Sequence, residues 1–187
     1  MTIIRKIPVL KIIITIATLY SAPVFAANIT LDSFIGATTD IDAAKLEKLA
    51  VAVEANLPET ANHLQSNIGG RKALQQYASA MLSHGQAERL GKQWAGLIAN
   101  SAMLDKAEKK DGSVWFPHAK DAGFFAGGIA AALSQHPQAT GNFSTGAGLT
   151  APIAGQDIAE WFSQSVSALS RPARAAFDQS LRAAAVH

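Results

Sequence analysis

The chain has 187 residues, with sixteen Lys and Arg, fourteen Asp and Glu, five His and no cysteine. The missing thiol excludes disulfide scaffolds, thiol nucleophiles, c-type haem attachment, cysteine-zinc sites and a lipid-modified N-terminal cysteine. The formal charge of +2 overstates any basic footprint, because Arg5, Lys6 and Lys11 lie in a segment patterned like an export signal.

That segment has three parts in order. Arg5, Lys6 and Lys11 supply positive charge, Ile12 to Tyr20 is charge-free and strongly apolar, and Ser21-Ala22-Pro23-Val24-Phe25-Ala26 follows. Pro23 breaks the helix, while Val24 and Ala26 suit small −3 and −1 peptidase pockets, so cleavage is expected after Ala26, with Ala27 the alternative. The apolar core is about half of the ~20 residues that a spanning helix needs, which favours cleavage over a retained anchor. Residues 27–187 are then expected as one helical domain in the periplasm or secreted. It keeps thirteen basic against fourteen acidic side chains. A near-neutral balance withdraws the nucleic-acid reading and makes membrane contact an unexpected role after cleavage.

Residues 27–39 show no clear period and are expected as an extended arm. Asp40 is expected to cap a helix whose Leu46, Leu49, Ala50, Val53 and Leu57 recur at helical spacing. Pro58 either stops that run or opens the next helix. Glu59 to Asn67 reads as a short polar segment ending at Gly69-Gly70. Leu74, Tyr77, Ala78 and Met81 then share a face, Ser83-His84-Gly85 breaks the helix, and Leu90, Trp94, Leu97, Ile98, Ser101 and Leu104 form the strongest stripe in the chain.

Lys106, Lys109 and Lys110 interleave with Asp105, Glu108 and Asp111, as at a solvated helix end. Val114 to His118 is an aromatic loop, and Asp121 to Gln135 is an apolar helix of small residues. Its Gly123 and Gly127 permit a second helix to approach closely. Pro137 to Gln156 reads as a Gly/Thr/Pro-rich loop. Asp157 caps a helix with Ile158, Trp161, Phe162, Val166 and Leu169 inward. A last helix follows Pro172, with Phe177, Leu181 and Ala184 inward and Arg174, Asp178 and Arg182 on its wet face. The fold class expected is all-α: a single irregular bundle of about five to seven helices, with that loop before the last two.

Four groups of side chains invite chemistry. Glu59/His63 and His84/Glu88 are acid–imidazole pairs four apart that could converge on a metal. Solvated helix faces explain them more simply, so no metal is expected. His118 could act as general base with Asp121 orienting it. Asp157 and Glu160 could form a carboxylate pair, although Asp157 is already needed as a cap. Met81 and Met103 sit in apolar stripes, where packing is the default, so no haem or other cofactor is expected.

The leading functional expectation is an exported helical binding or accessory protein acting by protein–protein contact on an envelope or secreted partner. Trp115, Phe116 and Phe143 are its contact candidates. A small cell-envelope hydrolase using His118, Asp121, Asp157 and Glu160 is the alternative. A membrane-active factor using Gly123–Leu133 is a further one.

Overall fold

The computed structural model describes residues 31–105, 109–110, 113–114, 116–167 and 169–185. The expected export signal and its cleavage site lie outside them, as does Trp115. Among the described residues the chain forms nine α-helices: α1 (Leu31–Ala37), α2 (Ala43–Ala55), α3 (Leu57–Ser66), α4 (Gly70–Ser83), α5 (Ala87–Leu104), α6 (Pro117–Gln135), α7 (Thr140–Ala147), α8 (Ile158–Ser165) and α9 (Arg171–Ala185). A minimal antiparallel ribbon, β1 (Lys109–Lys110) against β2 (Ser113–Val114), joins α5 to α6 and replaces the lysine-rich helix end expected there.

The all-α class follows from the sequence as expected, but the helix count exceeds five to seven: α1 and α7 stand where an arm and a loop are expected, and α3 is the helix start that Pro58 left open. Part of the expected arm is α1, whose Phe34 is buried edge-on to Tyr77 at 5.8 Å. Two turns are too few to show a period, and tertiary burial rather than propensity holds so short a helix. The polar segment after Pro58 is α3. Pro58 sits in its first turn, where a missing N–H costs nothing, and Leu57, Ala61 and Leu64 face inward. The cap of α2 is Asp42, not Asp40; its carboxylate accepts from Lys45 N at 2.7 Å.

The third short helix, α7, lies inside the expected loop. Its glycines read as loop composition, but Gly146 serves contact. A Cβ on Gly91 of α5 would lie 2.7 Å from Ala147 N and overlap the Phe143 carbonyl, while one on Gly146 would overlap the Glu88 carbonyl. The backbones of α5 and α7 therefore touch, and only residues 148–157 remain as connection.

Central to the bundle is α6, buried on nearly every side because Ala and Gly dominate it. A Cβ on Gly123 would overlap the Phe177 carbonyl of α9, and one on Gly127 would sit 2.5 Å from the Leu181 carbonyl oxygen. On another side, a Cβ on Gly128 would meet Leu74 Cγ of α4 at 2.5 Å. The small-residue motif thus makes tight packing inside the bundle. Among the described residues, no helix is long and apolar enough to cross a membrane.

An aromatic cluster ties α5, α7 and α8 together. Phe162 meets Trp94 at 5.0 Å, Trp161 at 4.9 Å and Phe143 at 5.7 Å, in tilted or edge-on geometries favourable to ring quadrupoles. On the opposite flank Arg89 of α5 clamps α2. Its Nε and Nη2 donate to the two Glu54 oxygens at 2.6 and 2.9 Å, and Nη1 donates to Glu47 at 2.6 Å. Gln93 donates to Glu54 at 3.1 Å and accepts from the buried Tyr77 hydroxyl at 3.0 Å, which carries the network into the core.

Candidate functional site

The residues singled out from sequence fall into separate places. His118 and Asp121 lie in the first turns of α6, which begins at Pro117, a turn earlier than expected. That start is made by Asp105, at the end of α5. Its carboxylate accepts from His118 N at 3.1 Å and from Ala119 N at 2.7 Å, so the residue that closes one helix caps another across the ribbon. A carboxylate at a helix N-terminus meets both unsatisfied N–H groups and the positive end of the dipole. The Ser101 hydroxyl adds a hydrogen bond to the His118 carbonyl at 2.9 Å.

One turn further, Asp121 is 3% exposed and faces α3. Asn62 donates to its two oxygens at 3.3 and 3.4 Å, contacts too long to offset burial fully. Burial pushes its carboxyl up to about 6, against the opposing pull of the Asn62 amide and the His118 charge; nearby Asp105 adds to the rise and Lys120 opposes it. Asn62 and Asp105 were not expected in this cluster. Asp105 read as part of a charged helix end, and nothing local to Asn62 marks a contact 59 residues distant.

Asp157 and Glu160 lie elsewhere. Asp157 caps α8, accepting from Glu160 N at 2.8 Å, as its position before an apolar run predicts. Both carboxylates line a cleft of about 450 Å³ between α8 and α9, together with Ser163, Gln164, Arg174 and Arg182; neither His118 nor Asp121 lines it. The four residues of the hydrolase alternative are thus two pairs in two settings, one buried and one open.

The acid–imidazole pairs also part. His84 ends α4 and Glu88 starts α5, so the turn between them places them on different helices. Glu88 pairs with Lys92 at 2.7 Å, which holds its carboxyl below the usual range. Asn67 donates to the His63 carbonyl at 2.7 Å and lies 3.2 Å from its Nδ1. Among the described residues no three His, Asp or Glu side chains gather as a metal would need. Met81 is fully buried as its stripe predicts, whereas Met103 is 64% exposed, on a different face of α5 from the buried Ser101 and Asp105.

The contact candidates are redistributed. Phe143, expected on a partner-binding surface, is fully buried, since α7 turns it into the aromatic cluster. Phe116 is half-buried against the core edge. The exposed apolar side chain of this region is instead Ile153, 79% exposed on the 148–157 connection. That connection is pinned at several points. Trp161 Nε1 donates to the Thr150 carbonyl at 3.0 Å, Ile153 N to Gln156 Oε1 at 3.2 Å, and Gln156 Nε2 to Gln164 Oε1 at 3.0 Å. Beneath it lies a recess of about 350 Å³ lined by Leu133, Pro137, Ala151, Pro152, Ile153 and Ile158 among others.

The class this fold defines is an all-α bundle wound about a small-residue central helix. Comparison with family models, with curated proteins and with solved structures gave no match.

Proposed function

We propose that this chain is an exported helical protein that works by holding another protein of the envelope or the extracellular space. One observation carries the binding half of this reading. Ile153 stands 79% exposed on a connection fastened by side-chain hydrogen bonds, beside an apolar recess. A single exposed apolar residue is ordinary on any surface. A preorganised one next to a recess loses little freedom on docking and suits the centre of an interface. Export rests on the basic, apolar and small-residue order of residues 5–26.

Each half has its test. Protein recovered from an exporting bacterial host should begin at Ala27 or Asn28 by intact mass; an uncleaved chain ends the export reading. Cross-linking in envelope extract should then yield one dominant protein partner, lost in Ile153→Asp although the variant melts within a degree or two of the parent. Equal cross-linking by the variant, or no partner at all, overturns the binding reading.

A further inference from the structure

The cleft between α8 and α9 is lined by charges of both signs that do not satisfy one another. Asp157 and Glu160 stand on the α8 side, Arg174 and Arg182 on the α9 side, with Ala159 and Leu181 as apolar floor. On α9, Asp178 lies four residues from each arginine, the spacing at which ion pairs form readily. Neither guanidinium takes it. Arg174 and Arg182 make no ion pair or side-chain hydrogen bond among the described residues, and Asp178 Oδ1 is enclosed without a partner. Both arginines instead border a cleft of about 450 Å³, large enough for a small ligand.

The carboxylate side is better ordered. Asp157 is held by the α8 backbone, and Glu160 Oε1 accepts from Gln164 Nε2 at 3.0 Å, itself linked to Gln156.

We propose that this cleft binds a small zwitterion of the amino-acid or short-peptide class. The ligand's carboxylate is taken by the guanidiniums of α9, which are shaped for bidentate contact. Its ammonium lies against Asp157 and Glu160. A simple anion fits less well, because two carboxylates line the same space; a simple cation meets two arginines. This site is independent of the protein-binding reading, which rests on Ile153.

The test is a calorimetric or NMR titration of the purified protein with L-alanyl-L-alanine, its N-acetyl form and its C-terminal amide. Saturable binding of the dipeptide is expected, with each blocked form at least about tenfold weaker, the scale of one lost charge-assisted hydrogen bond. Arg182→Gln should abolish the preference for the free carboxylate, and Glu160→Gln that for the free ammonium. Both residues are exposed, so unchanged melting temperatures are expected alongside. Equal binding of all three peptides, an N-acetyl form binding as well as the parent, or no saturation with the dipeptide overturns the proposal. None of these outcomes bears on partner capture through Ile153.

Discussion

Asp121 is the side chain whose charge the fold opposes most directly. Its folded value near 6 lies above the ordinary carboxyl range of about 3.9, so the folded state binds the proton more tightly than the unfolded chain. The sign follows: stability from the neutral acid is fully present below about pH 4 and is lost as pH rises through 6. Asp121→Asn, which keeps the shape and removes the charge, should gain up to about 3 kcal/mol at pH 7.5 and under about 0.5 kcal/mol at pH 4, read by denaturant melts. Glu54 behaves oppositely. The Arg89 hydrogen bonds hold its carboxyl below its usual range, so its contribution exists above about pH 4.3 and fades as pH falls through the lowered value. Arg89→Leu should cost about 1–2 kcal/mol at neutral pH, discounted for its partial exposure, with the loss shrinking in 1 M salt.

Among the elements, α6 determines how closely its neighbours lie. Gly127→Val places methyl groups where the Leu181 carbonyl and Ala184 already stand, and α9 cannot move without opening the core. A loss above about 3 kcal/mol, or no folded protein, is expected from chemical melts. Gly36, in α1, is the control. A Cβ there meets nothing within 4 Å, so Gly36→Ala should stabilise by about 0.5 kcal/mol through chain entropy and helix propensity alone. The same residue type thus carries opposite consequences in two helices, depending on whether another backbone is in contact.

Across the molecule, the aromatic cluster joins the α5–α7 backbone contact in attaching α7 and α8 to the rest. Phe143→Ala should cost about 3–5 kcal/mol, as buried Phe truncations do, whereas Ile153→Ala should change stability by under about 0.5 kcal/mol. A thermal melt of each separates a core residue from a surface one. Equal small effects would mean that Phe143 is not in the core.

The long amphipathic helices were legible because their partners recur every three or four residues. Leu74, Tyr77 and Met81 of α4, Leu90, Trp94 and Leu97 of α5, and Phe177, Leu181 and Ala184 of α9 all point inward as their spacing requires. The Asp157 cap and the break at Ser83-His84-Gly85 are likewise local events, decided within a turn. The candidate sites were not so legible. That Asp105 caps α6, that Asn62 meets Asp121, and that Arg174 and Arg182 face Glu160 across a cleft depend on residues far apart in the chain. Likewise α1 and α7 lack the length to declare a period, and Gly146 of α7, which reads as loop composition, serves its contact with α5. Hydrophobic periodicity thus determined the class of fold, because a helix's buried face is written in its own sequence. Only the tertiary structure decided which charges meet, because those distances are made by packing between helices.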